Sequence, residues 1–180
     1  MRIIKYPENY EYKTNEICCF LAGGCTDTQW REELYNYFNN VSCNHLVLID
    51  PYNPNIINKE EQIKWEFNHL NNFLDKGFIF SIYFDKYTDQ PISMYELGRA
   101  SALCKPQSIE IVKRGSLTTT TSVNLNYGFP MIVSIHPEAP KRDEILIQCN
   151  LVNVLAIVRD YEQHAKAIRT QYNEIKYMLK

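Results

Sequence analysis

Along the first hundred residues, short unbroken apolar runs alternate with longer stretches in which apolar residues recur every three or four positions. The run ICCFLAGG at 17–24 ends in two glycines and reads as a buried strand with its turn. In 26–40, Trp30, Leu34, Tyr37 and Phe38 fall on one helical face, with Asp27 or Thr28 placed to cap it. HLVLID at 45–50 is a second strand, broken by PYNPN. Residues 58–77 predict a second helix: Ile63, Phe67, Leu70 and Leu74 share a face, and Gly77 suits its end. FIFSIYF at 78–84 is a third strand, and 91–105 a third helix with Pro91 in its first turn. IEIV at 109–112 and PMIVSI at 130–135 read as fourth and fifth strands. The Ser/Thr-rich stretch 113–129 reads as a loop or irregular hairpin, and 140–180 as one or two long helices.

Short apolar strands separated by helices predict a parallel sheet covered on both faces. Ligands of such sheets bind beyond the carboxyl ends of the strands. The residues to watch are therefore Gly23–Asp27, Asp50–Asn55, Phe84–Asp89 and the start of the third helix. The chain shows no repeat and no linker, so one domain over 1–180 is expected.

Composition narrows the classes of function. Of 180 residues, 45% are hydrophobic and 22% charged, an ordinary globular balance, and the net charge is −2 with no basic block. Binding a nucleic-acid polymer would need a clustered positive face, so that class is disfavoured, whereas a single nucleoside or nucleotide is not. No run reaches the roughly 20 apolar residues of a membrane span, and MRIIKYPENYEYK lacks the apolar core of a signal peptide. The six cysteines form no C-x-x-C pair and sit mostly in apolar runs, as buried thiols do in a reducing cytoplasm. His45, His69, His136 and His164 lack metal-ligand spacing, so no metal site is expected from them. G-K-[ST], G-x-G-x-x-G and G-x-S-x-G are all absent.

Glu96, in QPISMYELG, is the candidate with most chemistry. Ile92, Leu97 and Ala100 can pack on the sheet, which leaves Glu96 half buried at its carboxyl edge; an ordinary exposed helical Glu is the alternative. An unpaired buried carboxylate costs several kcal/mol, so one kept in apolar company is a functional candidate.

Four motifs occur in order: FLAGG, a tryptophan on the first helix, Q-x-x-W-E on the second and P-I-x-x-Y-E-L-G on the third. Together, over roughly residues 2–105, they resemble the nucleoside 2-deoxyribosyltransferase-like family. The resemblance implies a flavodoxin-like three-layer α/β sandwich with a mostly parallel sheet of about five strands, plus C-terminal helices. It implies transfer or hydrolysis at the N-glycosidic bond of a nucleoside or nucleotide, without metal or cofactor. It also implies that Glu96, the Glu of E-L-G, is the nucleophile. A carboxylate can form a covalent glycosyl-enzyme at C1′, and a second acid must then protonate the leaving base.

Glu66 is the first candidate for that acid and Asp85 the second. Gln62, Trp65, Glu66 and His69 share a helical face distinct from that of Ile63, Phe67 and Leu70; the bland alternative is a solvated polar face. In the functional reading Gln62 binds the base edge and Trp65 shapes the pocket, while Asp85 can also hold sugar hydroxyls. Gly23 and Gly24 allow close backbone approach of a sugar or 5′-phosphate, or simply turn the chain. Asp50, Tyr52 and Asn53 can line the base side, or form a Pro-Asn turn that Asp50 caps, and Gln90 completes the substrate-binding set. Arg99, Lys113 and Arg114 are possible phosphate partners or surface charges. The alternative function is a silent nucleotide-binding protein. The apolar stretch Ile145–Val158 suits a dimer interface, and the resemblance also implies a homodimer or higher homo-oligomer.

Overall fold

The computed structural model describes residues 1–25, 28–55, 58–74, 78–103, 113–114, 117–118, 130–152 and 154–178. Its main sheet contains β1 (Arg2–Lys5), β2 (Ile17–Gly23), β3 (Leu46–Asp50), β4 (Ile79–Phe84), β7 (Met131–Ile135) and β8 (Ala156–Val158). The strand order is β1-β3-β2-β4-β7-β8, with every neighbour parallel. Five helices complete the fold: α1 (Gln29–Asn39), α2 (Lys59–Leu74), α3 (Pro91–Leu103), α4 (Arg142–Leu151) and α5 (Tyr161–Met178). Two short strands, β5 (Lys113–Arg114) and β6 (Leu117–Thr118), pair antiparallel apart from this sheet. Setting β1 aside, the order is the flavodoxin-like arrangement of doubly wound sheets.

The strands are apolar throughout because both of their faces are covered. Alternate residues serve opposite layers. Phe20, Ala22, Ile49, Ile82 and Val133 pack with Trp65, Leu97, Ala100 and Ile145 of α2, α3 and α4. Cys19, Leu21, Leu48 and Ile79 pack with Trp30 and Leu34 of α1 and Ile168 and Tyr172 of α5. Three buried polar side chains tie the second layer to the sheet. His164 on α5 bonds Ser81 of β4 (3.0 Å) and Ser134 of β7 (2.8 Å), and burial with the Arg159 charge lowers its pKa to about 3.

Four expectations change. The sheet has six strands: beside those expected at 17–24, 45–50, 78–84 and 130–135 stand β8 and β1, the latter a strand with one buried residue that no alternation announces. The segment 140–180 holds a strand between its helices: after α4 the chain LAIV at 155–158 is an unbroken apolar run with no polar face, and it pairs with β7. On α2 the buried face is that of Gln62, Trp65, His69 and Leu70, while Ile63 and Phe67 are half exposed. On α3, Leu97 and Ala100 pack on the sheet but Ile92 is more than half exposed. The expected strand at 109–112, Asp27 and Gly77, together with the side chain of Leu74, lie outside the described residues.

Candidate functional site

The sheet reverses its winding between β2 and β4, and a cavity of about 570 Å³ opens beyond their carboxyl ends. Such a switch point leaves a crevice because the connections leave the two strands toward opposite faces. Gly23 and Gly24 from the end of β2 line it, with Tyr52 and Asn53 after β3, Gln62 and Glu66 from α2, and Gln90, Ser93 and Glu96 from the start of α3. Ile63 and Ile92, two of the three residues displaced from the core, supply apolar wall.

Each element is anchored so that its side chains converge. Asn58 caps α2, its Oδ1 accepting from the backbone of Glu60 (3.1 Å) and Glu61 (3.2 Å). Trp65 Nε1 donates to the Glu8 carbonyl (3.1 Å) and its ring stacks on His69. This contact turns the mixed face of α2 inward and carries Glu66 to the cavity. Gln62 Nε2 donates to the Pro51 carbonyl (3.0 Å), joining α2 to the segment after β3.

The glycine turn is built from below by Arg31, a residue no sequence pattern singled out. Its guanidinium is 1% exposed and donates to Asp50 Oδ1 (2.9 Å), the Gly24 carbonyl (2.5 Å) and the Gly23 carbonyl (3.3 Å). Trp30 Nε1 also donates to the Gly24 carbonyl (3.3 Å). Asp50 accepts from the Tyr35 hydroxyl and the Tyr52 backbone as well. Gly23 has φ 137°, and a Cβ there would sit 2.5 Å from the Tyr83 carbonyl, so only glycine fits. At Gly24 the restriction is space alone: a Cβ would overlap Asp85 Oδ2 and lie 2.9 Å from Gln90 Cδ.

Gln90 precedes α3 at φ 47°, a left-handed conformation uncommon for a residue with a side chain. Its Oε1 accepts from the Gly24 backbone N–H (2.8 Å), pinning the glycine turn to the start of α3. Asp85 Oδ1 accepts from the backbone of Tyr87 (2.8 Å) and Thr88 (3.3 Å) and shapes the loop between β4 and α3. Among the described residues, Asp85 Oδ2 and Gln90 Nε2 are both buried without a hydrogen-bond partner.

The electrostatics centre on two carboxyls. Glu96 is 8% exposed; burial first, then the nearby Glu66 charge, pushes its pKa up to about 8, while Arg31 opposes. Burial pushes Glu66 up to about 7, against the opposing effects of Arg31 and of a hydrogen bond with Gln62. With these values both carboxyls carry a proton for much of the time near neutral pH. The cavity wall also carries Lys59 and Asp89, the latter paired with Lys141 (2.9 Å).

Of the residues named from sequence, the cavity brings together Gly23, Gly24, Tyr52, Asn53, Gln62, Glu66, Gln90 and Glu96. Asp50, Trp65 and Asp85 stand behind the wall: Asp50 is paired with Arg31, Trp65 is packed against Tyr6 and His69, and Asp85 lies beneath Gly24. Arg99 bonds Asn71 and covers the Phe67 ring, away from the wall. The side chains of Lys113 and Arg114 lie outside the described residues. Sequence reasoning missed Arg31, Lys59 and Ser93. The available signal for Arg31 was its place beside Trp30 on a helix that must bury one face, with Asp50 ending an apolar strand.

Among the described residues no group of His, Cys, Asp and Glu could hold a metal ion, and no helix is long and apolar enough to cross a membrane. Residues 16–113 match the family model described as nucleoside 2-deoxyribosyltransferase like, a span that includes every residue of the cavity wall. No curated protein matches the chain.

Proposed function

Because the chain belongs to the nucleoside 2-deoxyribosyltransferase-like family, we propose that it cleaves the N-glycosidic bond of a nucleoside through a covalent intermediate on Glu96. Family membership supports glycosyl transfer on a nucleoside as the general class of activity. The observation that carries the finer reading is the pair of raised carboxyls on opposite helices of one cavity, Glu96 at about 8 and Glu66 at about 7.

In this reading a Glu96 carboxylate oxygen attacks C1′ as the C1′–N bond breaks. The bonding electrons pass to the base nitrogen, which takes a proton from Glu66. The product is a glycosyl ester on Glu96 and a free base. A second base, or water, then attacks C1′ from the vacated face and gives its proton to Glu66, and Glu96 leaves as carboxylate. Two displacements at one carbon retain configuration.

In the free protein Glu96, whose pKa is the higher, is the more often protonated of the two. Positive charge developing at C1′ favours the Glu96 carboxylate, and a basic nitrogen beside Glu66 favours its acid form. Substrate would thus draw the proton to the side where it is used. Gln90 Nε2, a buried donor without a hydrogen-bond partner among the described residues, belongs to a residue of the cavity wall and is suited to a sugar hydroxyl. The full engagement of Arg31 by Asp50 and the Gly23 and Gly24 carbonyls keeps it from a phosphate and favours an uncharged nucleoside over its 5′-monophosphate.

The test is chromatography of purified protein with deoxynucleosides and their 5′-monophosphates, with and without added free bases, alongside Glu96→Ala. Base release by wild type that vanishes in the variant is the expected result, and a new nucleoside on adding base identifies transfer. Nucleoside binding by calorimetry with no turnover of any substrate would overturn the proposal in favour of a silent binding protein.

A further inference from the structure

The two carboxyls stand on helices whose first turns are held by other parts of the chain. On the α3 side, Gln90 Oε1 takes the Gly24 N–H (2.8 Å), and the Gly24 carbonyl accepts from Arg31 (2.5 Å). The Met94 N–H closes the first turn of α3 on the Gln90 carbonyl (3.1 Å), two residues before Glu96. On the α2 side, Gln62 Nε2 donates to the Pro51 carbonyl (3.0 Å), and Gln62 lies one turn before Glu66. Pro51 directly follows Asp50.

The two branches meet at one ion pair, Arg31 with Asp50, both fully buried and 2.9 Å apart. Every guanidinium nitrogen is used: Nε on Asp50, Nη1 on the Gly24 carbonyl and Nη2 on the Gly23 carbonyl. Such a planar fork ties a carboxylate and two consecutive carbonyls to one rigid plane, which an ammonium cannot do. Asp50 is fixed in turn by the Tyr52 N–H (3.0 Å) on Oδ1 and by the Tyr35 hydroxyl on Oδ2. The guanidinium also lies over the Trp30 ring, 4.1 Å from its centroid. Neither Arg31 nor Asp50 lines the cavity.

We infer that the Arg31–Asp50 pair is a positioning pair for the reaction, the common anchor that sets Glu96 of α3 and Glu66 of α2 against one substrate. The inference rests on the reading of these carboxyls as nucleophile and acid, and extends it to two residues outside the cavity wall. Buried charge-assisted hydrogen bonds are short and directional, so a displacement at the pair passes along both branches. The carboxyls must meet C1′ and the base nitrogen together, and a misplacement of about 1 Å can cost about 100-fold in rate. The charge supports the geometry: Arg31 lowers the pKa of both Glu66 and Glu96, against the burial that raises them.

Hydrogen exchange and steady-state kinetics on Arg31→Lys and Tyr35→Phe test it. Lysine keeps the charge beside Asp50 but loses the fork, and phenylalanine removes one bond to Asp50 from outside the cavity wall. In Arg31→Lys the Gln62 and Met94 amides, in the first turns of α2 and α3, should both exchange about tenfold faster or more. The His164 amide of α5 should keep its rate, which shows the fold intact. Tyr35→Phe should do the same on a smaller scale, and carries the test if Arg31→Lys does not fold. This readout needs no substrate: amides unchanged in both variants, or quickened on α3 alone, would overturn the inference. With a substrate that wild type turns over, kcat should fall about 10–100-fold in Arg31→Lys while KM changes by less than about threefold. A loss confined to KM, or a kcat within about twofold of wild type, would overturn it as well. A wild type that turns over no substrate refutes the proposed function instead, and the exchange rates still decide whether the pair anchors both helices.

Discussion

Replacing Glu96 by Gln should stabilise the fold, and by an amount that grows with pH. The carboxyl is 8% exposed, and its pKa rises from 4.5 to about 8, through burial first and Glu66 second. In the unfolded chain it titrates near about 4.3. Between the two values the native state holds more protons than the unfolded state, so stability falls as pH rises through this window. Below about pH 4 both states are protonated and there is no penalty. Above the folded pKa the penalty is complete: displacement to about 8 at about 1.36 kcal/mol per pH unit amounts to up to about 5 kcal/mol. Against a total stability of about 5–15 kcal/mol, that is a large cost for one side chain. Glutamine has nearly the same shape and cannot ionise. Urea unfolding followed by circular dichroism, on wild type and Glu96→Gln from pH 5 to 8.5, should show a gain of about 1 kcal/mol at the lower limit growing to several kcal/mol at the upper. A gain of the same size at every pH, or none at all, would refute the claim that Glu96 is ionised at a cost in the native state.

Two further predictions concern the turn below the cavity and the helix above it. Arg31→Met leaves Asp50 buried without its cation and should cost about 3–5 kcal/mol in chemical denaturation, partly recovered in Arg31→Met/Asp50→Asn; a loss below about 1 kcal/mol would contradict the role assigned to this pair. Alanine at Gly24 and at Gly98 should move the melting temperature in opposite directions. At Gly24 a methyl group collides with Asp85 and Gln90 and should cost about 1–3 kcal/mol. At Gly98, inside α3, a Cβ meets nothing within 4 Å, and alanine should add about 0.4–1 kcal/mol.

Much of the fold was legible because its strands are buried on both faces. ICCFLAG, LVLID and IFSIYF announce themselves by apolar content alone, and the helices between them by spacing. β1 and β8 were not legible, for opposite reasons. RIIK is too short and too polar to stand out, and AIV follows an apolar helix so closely that its short apolar run could equally continue it. The mixed face of α2 misled in another way: two half-exposed residues, Ile63 and Phe67, completed an apolar stripe that the fold turns outward. What inverted it is the contact of Trp65 with Glu8 and His69, which brings together residues 57 positions apart.

The sequence by itself determined the alternation of strand and helix, the glycine turn at the end of β2, and the presence of acids after β4 and on α2, because these depend on local spacing and on residue type. Only the tertiary structure decided that Glu66 and Glu96 meet in one cavity and that their pKa values rise, since both follow from burial and from charges on separate helices. It alone paired Arg31 with Asp50, 19 residues away, beneath that cavity. An arginine read along the chain is a surface charge. It becomes a buried one only where the fold supplies a carboxylate and two backbone carbonyls to hold it.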